Sequence, residues 1–377
     1  MQLPRAALED WLRDYYFTAS NDISCSGVSS YSFGELRETL GIDITELDSV
    51  VFRDSPSCGA PELRTAIAQR WGNGDPSRVM ATNGSSEALF LVMTALLHPG
   101  DEVVVVDPAY HSLVSIAAGI GCRIVPWQLR FERGFKPDID QLRSLVSSAT
   151  RMLVVNFPHN PTGVTVNRDQ QRTIVDIAET HDCYLVWDAA FAELTYGIPP
   201  LPDASRLYEK AITFGTLSKA YGLPGIRVGW CMAPLDVLER CVTHRDYTTL
   251  ALSPLAELVA THAVKQSELL LQPMLEQARG NLAVLDEWVG QHEDHIEWVR
   301  PAGGVTAFPR LRNVSNVEDF CHRLMSEHGT LLVPGTCFAH PSHVRLGFGG
   351  SRDELQGGLS AVSSLLGSMK AADPLGL

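Results

Sequence analysis

Ala211-Ile-Thr-Phe-Gly-Thr-Leu-Ser-Lys-Ala-Tyr-Gly-Leu-Pro-Gly-Ile-Arg-Val-Gly229 opens as a short apolar strand, turns through a glycine-rich stretch that carries Lys219, and re-enters an apolar run at Arg227 to Ala233. Upstream, β-branched runs of the same kind recur at Glu102 to Val106, Arg123 to Pro126, Arg151 to Asn156 and Tyr184 to Asp188. Helical patterns lie between them, as in Arg168 to His181, which sets Ile174 and Ile177 on one face. Strands alternating with helices read as an α/β fold, a mainly parallel sheet covered by helices. Several strands end in residues able to do chemistry: Asp107-Pro108, Asn156-Phe157-Pro158 and Asp188. Ligands of open α/β sheets bind beyond the carboxyl ends of the strands, so the pattern predicts one site gathered along that edge.

From about Glu276 the texture changes. A helical segment with Leu285 and Trp288 leads into Trp298 to Phe308, a helix over Val317 to Glu327, and short strands near Leu331 and Val344. This predicts a smaller α+β unit over 281–377, completed by an N-terminal segment 1–45, with 46–280 as the large domain.

The 377 residues are 45% hydrophobic and carry a formal charge of -14, spread along the chain with no basic tract. Such a surface disfavours nucleic acid or an anionic membrane as a partner and leaves a small molecule as the expected one. Met1 to Asp14 has no apolar core flanked by positive charge, and runs such as Val103 to Val106 are far shorter than a membrane span. The eight cysteines show no CxxC pair, so free thiols and a cytoplasmic location are expected, and no metal enters the reading.

Lys219 sits just past a strand in an apolar, glycine-lined turn, where poor solvation favours its neutral, nucleophilic form. Thr216, Ser218 and Arg227 nearby suit a phosphate. Asn83-Gly-Ser-Ser-Glu-Ala-Leu89 precedes an amphipathic helix running to His98, and amides of Gly84, Ser85 and Ser86 at its N-terminus would cradle an anion. Ordinary capping by Ser85 is the plainer alternative. Asp188 ends the apolar run Tyr184-Leu-Val-Trp-Asp, where a carboxylate is costly unless paired.

Taken in order, these stretches resemble the fold-type I, aminotransferase-like enzymes that use pyridoxal 5'-phosphate (PLP), over nearly the whole chain. The resemblance implies a large domain with a mainly parallel seven-stranded sheet and a homodimer. It implies PLP held as a Schiff base on Lys219, its phosphate by Gly84, Ser85, Ser86, Thr216 and Arg227, and its ring under Tyr110. Asn160, in Asn156-Phe-Pro-His-Asn-Pro-Thr-Gly163, would donate to the phenolate oxygen, and Asp188 would pair with the ring nitrogen. Arg345, with Gly27 and Asn160, would bind the substrate carboxylate.

Two departures bear on the reaction. Phe191 stands where typical members carry a tyrosine that donates to the phenolate oxygen, and Asp54 stands where they place a tyrosine reaching the phosphate of the other subunit. With Asp22-Ile-Ser-Cys-Ser-Gly27, Asp54-Ser-Pro-Ser57 and Trp187-Asp-Ala-Ala-Phe-Ala-Glu193, these features resemble a narrower group, the capreomycidine- and streptolidine-forming cyclases. That likeness implies a β-hydroxylated arginine as substrate, Cα deprotonation by Lys219, loss of the β-hydroxyl as water, and closure of a ring by a guanidino nitrogen. The guanidinium would need acids, for which Glu9, Asp14 and Asp54 are the candidates. An ordinary aminotransferase and a PLP-dependent arginine oxidase are the alternatives, and a ligand-sensing regulator domain is a third, non-enzymatic one.

Overall fold

The computed structural model describes residues 1–372; positions 373–377 of the unit expected at 281–377 lie outside them. A short first strand, β1 (Asn21–Asp22), precedes the seven that build the main sheet: β2 (Val79–Thr82), β3 (Glu102–Asp107), β4 (Arg123–Gln128), β5 (Thr150–Asn156), β6 (Tyr184–Asp188), β7 (Ala211–Thr216) and β8 (Gly229–Met232). Their spatial order is β2-β8-β7-β6-β5-β3-β4. Strands β4, β3, β5, β6 and β7 run parallel, and β8 lies antiparallel between β7 and β2.

Helices cover both faces, which explains the near-continuous aliphatic runs. Side chains alternate between two core layers. Val104, Val106, Leu153, Val155, Leu185 and Trp187 pack on one side, and Val103, Val105, Met152, Val154, Val186 and Ile212 on the other. The expected helix at Arg168 runs over Arg168–Thr180, opened by a reciprocal Asn167–Gln170 capping box and burying Ile174, Val175, Ile177 and Ala178.

Later strands are short: β9 (Ile296–Glu297), β10 (Thr306–Ala307), β11 (Arg310–Leu311), β12 (Thr330–Leu331), β13 (Val333–Pro334) and β14 (Val344–Gly347). A three-stranded antiparallel sheet has the order β10-β14-β13, and β1 pairs with β12 in parallel, Asn21 opposite Thr330. The beginning of the chain is thereby bonded to its last third.

Three expectations need correction. β2 was absent from the sequence candidates, because four residues at the sheet edge carry too little pattern. The run at Arg227 to Ala233 forms a strand only from Gly229, since Arg227 itself takes a left-handed conformation (φ 54°). The helix after Gly84 spans Ser85–Leu96 and stops short of His98.

Candidate active site

Parallel strands put their carboxyl ends on one edge, and there β3, β5, β6 and β7 deliver Tyr110, Asn156 and Asn160, Asp188, and Thr216 to Lys219. These residues line a cavity of about 430 Å³ together with Glu9, Ser26, Ser85, Ser86, Phe191, Ser218, Arg227 and Arg345. Asn156 fixes two of the turns: its Nδ2 donates to the Asp188 carbonyl (3.1 Å) and its Oδ1 accepts from the Asn160 amide (2.8 Å). His159 fixes a third. Fully buried, it bonds Thr162 Oγ1 through Nδ1 (2.7 Å) and the Pro108 carbonyl through Nε2 (2.8 Å). Burial pushes its imidazole down to about 3, so it serves as a neutral brace between the turns after β3 and β5.

Lys219 and Asp188 share the cavity floor. Burial holds the Lys219 amine below the ordinary lysine range, and nearby Arg345 acts the same way while Asp188 opposes. Burial pushes the Asp188 carboxyl up to about 6, against the hydrogen bond it accepts from the Ala190 amide (3.0 Å) and the attraction of Lys219. An amine whose charged form burial disfavours, beside a carboxyl that gains from a cationic partner, matches an aldehyde and a protonated ring nitrogen. The Phe191 ring centre lies 6.0 Å from Lys219 Nζ and presents no hydroxyl to it.

The anion end is built from backbone. Gly84 caps the Ser85–Leu96 helix with φ 77°, and no side chain caps it, so the Ser85 capping alternative does not hold. The Asn83 amide is instead bonded by Glu87 Oε2 (2.5 Å). A Cβ at Gly84 would strike the Arg227 guanidinium, and one at Gly229 would meet the Ser85 amide. Two glycines thus let an arginine and a strand start close against a helix N-terminus. Arg227 Nη1 donates to the Pro224 carbonyl (2.9 Å) and to Ser218 Oγ (3.4 Å), and Thr216 Oγ1 donates to Ser218 Oγ (3.0 Å). Amides, hydroxyls and a guanidinium converge on one volume, a donor set suited to phosphate.

Across the cavity, Arg345 on β14 is 2% exposed. Its Nη2 donates to the Ser24 carbonyl (2.8 Å) and Nη1 to Asn160 Oδ1 (3.4 Å), while Nε has no partner among the described residues. An unpaired buried donor is costly, so this guanidinium is set to receive an acceptor such as a carboxylate. Gly27, in the loop after β1, is not among the residues lining the cavity; a Cβ there would come within 3.3 Å of the Ser218 carbonyl.

Of the three acids, only Glu9 reaches the cavity. It lies on the Ala7–Tyr15 helix, whose Leu8 and Leu12 also line the cavity, and its Oε1 accepts from the Tyr110 hydroxyl (2.9 Å). Burial, and after it that contact, hold the Tyr110 phenol above its usual range. The helix is anchored by Trp11 Nε1 to the Leu332 carbonyl (3.0 Å) and by Tyr15 to His322 (2.8 Å). Asp14 is exposed and outside the cavity: five residues after Glu9 it is turned about 140° around the helix. Asp54 is also exposed, in a separate groove with Glu46, Ser55, Glu257 and His262. Sequence reasoning marked the stretch that holds Asn156 and His159 without giving either a role, and it gave none to Ser26. Ser26 in particular meets Lys219 only through folding, 193 positions apart in the chain.

Amine, carboxyl, helix N-terminus, Asn160 and the Tyr110 ring line one cavity, and their chemistry suits PLP. Comparison with known proteins agrees in kind. Residues 42–362 match the profile of the family aminotransferase class I and II. Capreomycidine synthase of Streptomyces vinaceus is 49% identical over 368 residues, covering 97% of this chain and 95% of that protein. Among solved structures, the PLP-dependent cyclase OrfR superposes with a TM-score of 0.93 at 42% identity, covering 98% of both chains. A PLP-dependent aminotransferase from Streptococcus suis 89-1591 superposes at 0.92 with 32% identity, covering 98% of this chain and 99% of that one.

Proposed function

The chain belongs to the aminotransferase class I and II family, and from that premise we propose that it closes a ring on a β-hydroxylated arginine, giving a capreomycidine- or streptolidine-type cyclic amino acid. It is a PLP-dependent enzyme of the lyase and cyclase kind. The observation that carries the substrate reading is the polarity of the cavity. Arg345 presents an unpaired donor at one position and Glu9 presents a carboxylate at another, which suits an amino acid with a cationic tail. The cyclases named above support the same reaction class.

Bound PLP supplies the sink for the electron pair left at Cα. The residues then divide the work. Arg345, with Asn160 and the Gly27 backbone, orients the α-carboxylate. Asp188 holds a proton at the ring nitrogen, and Ser85, Ser86, Thr216 and Arg227 hold the phosphate. Lys219 would act as a neutral base and remove the Cα proton. The β-hydroxyl leaves as water, and a guanidino nitrogen held near Glu9 bonds to Cβ. Phe191 keeps that side of the cavity apolar and helps exclude water.

The same reading divides the chain into 46–280, carrying the cofactor, and 1–45 with 281–377, carrying Glu9 and Arg345; the β1–β12 pairing supports it. It also makes the enzyme a homodimer in the cytoplasm. The exposed side chains of Val51, Phe52, Tyr247 and Leu250 support the dimer, which would bury them. Among the described residues no helix is long and apolar enough to cross a membrane.

Incubation of the holoenzyme with 3-hydroxy-L-arginine tests the proposal. A cyclic product one water lighter than the substrate is expected. A 2-oxo acid, with the cofactor left in its amine form, would assign the chain to transamination instead, and oxygen consumption would assign it to oxidation.

A further inference from the structure

We propose that Ser26 is a catalytic residue of this site: its hydroxyl holds the Lys219 amine and relays the proton taken from Cα to the departing β-hydroxyl. The proposal rests on the cyclisation reading and adds the acid that reading lacks. Lys219 Nζ donates to Ser26 Oγ at 2.9 Å, and both groups line the cavity. The side chain of Ser26 is nearly closed off from solvent, at 9% exposure. Among the described residues its own hydroxyl proton meets no acceptor, so the donor is open toward the cavity.

The loop that carries Ser26 is fixed to the loop that carries Lys219. The Val28 amide donates to the Lys219 carbonyl (3.2 Å), and the Ser29 amide to the Gly349 carbonyl (3.2 Å). A Cβ at Gly27 would sit a tight 3.3 Å from the Ser218 carbonyl, and one at Gly349 would strike the Gly27 carbonyl. The serine is therefore held at the amine by backbone rather than by its own contact.

Two other hydroxyls of the cavity are committed, and a third position has none. Tyr110 gives its hydroxyl proton to Glu9, Thr216 gives its own to Ser218, and position 191 is a phenylalanine. Departure of hydroxide from Cβ without a proton is unfavourable, and Ser26, in contact with the amine that takes the Cα proton, is placed to supply one.

The step balances. The neutral Lys219 amine takes the Cα proton and becomes an ammonium. It returns a proton to Ser26 Oγ as Ser26 gives its own to the β-oxygen. The Cβ–O bond breaks with its electron pair on oxygen, water leaves, and the pair from the Cα–H bond forms the Cα–Cβ double bond. Lys219 and Ser26 end in the protonation states in which they began, and no oxidant is required.

Ser26→Ala and Ser26→Thr holoenzymes with 3-hydroxy-L-arginine in deuterated water test this through two rates, deuterium entry at Cα of recovered substrate and appearance of dehydrated product. For Ser26→Ala, exchange stays within about threefold of native while dehydration falls about 100-fold, and Ser26→Thr recovers most of the loss. In cofactor-free protein with 15N-labelled lysine, the Lys219 side-chain titration moves down in Ser26→Ala, because an acceptor for the ammonium is gone. Equal falls in both rates, unchanged dehydration, or an unmoved Lys219 titration would each overturn the proposal. If native enzyme yields a 2-oxo acid, the cyclisation reading and the relay fail together, and the titration still judges the Ser26–Lys219 contact separately.

Discussion

Two carboxylates of this cavity are set to different tasks by their surroundings. Asp188 ends a buried strand, and its carboxyl is pushed up to about 6 from the ordinary 3.8. Ionising it costs more in the folded, cofactor-free chain than in the unfolded one. The stability contributed by the protonated form is therefore complete below the ordinary value and is lost as pH rises through about 6. Asp188→Asn removes that penalty. Calorimetry of the cofactor-free proteins should show the melting temperature of the variant gaining on native between about pH 4 and pH 7, then levelling. A difference that does not change with pH would contradict the assignment. Glu9 has the opposite task, an acceptor kept at the cavity for a cation. Glu9→Gln retains an acceptor for Tyr110 but loses the charge. A charge-assisted bond worth about 1.5–3 kcal/mol predicts a KM for hydroxyarginine raised roughly 10- to 100-fold, with kcat much less affected. Lys219, Asp188 and Arg345 drew attention through the ordered set of motifs that carries the family resemblance rather than one by one. Ser26 drew none, since a serine in a loop has no chemistry until folding brings it to the amine.

At the scale of elements, the N-terminus of the Ser85–Leu96 helix depends on a residue without a side chain. Gly84 has φ 77°, and a Cβ there would displace Arg227. Gly84→Ala should lower PLP affinity about 10- to 100-fold while leaving the phosphate-free analogue pyridoxal bound as before, measured by fluorescence titration of the cofactor-free protein. Equal loss for both ligands would mean that the turn does not act through the phosphate. The turn was readable because Asn83-Gly-Ser-Ser-Glu opens a helical pattern. Element edges were less readable. β2 is four residues long and bonded only to β8, so its identity comes from its partner. The Ala7–Tyr15 helix separated Glu9 from Asp14 through its 3.6-residue turn, a distinction that a list of nearby acids does not make.

For the whole molecule, the alternation of aliphatic runs and helices made the main sheet readable, while the antiparallel placement of β8 shows only in its pairing with its chain neighbour β7 and with the distant β2. The surface offers a separate inference. A chain with a formal charge of -14 leaves Phe52 at 77% and Tyr247 at 89% exposure. Light scattering should give twice the mass of one chain, and Phe52→Glu should shift the equilibrium toward one copy; a native monomer would contradict the dimer.

The central claim is that one particular amine carries the cofactor. Among the five lysines of the sequence, Lys219 lines the cavity. Borohydride reduction of the holoenzyme, followed by proteolysis and mass spectrometry, fixes the cofactor to whichever lysine holds it. The account predicts a phosphopyridoxyl group on the peptide containing Lys219 and on no other. A label on Lys136, Lys210, Lys265 or Lys370, or no label on a holoenzyme that retains PLP, would contradict it.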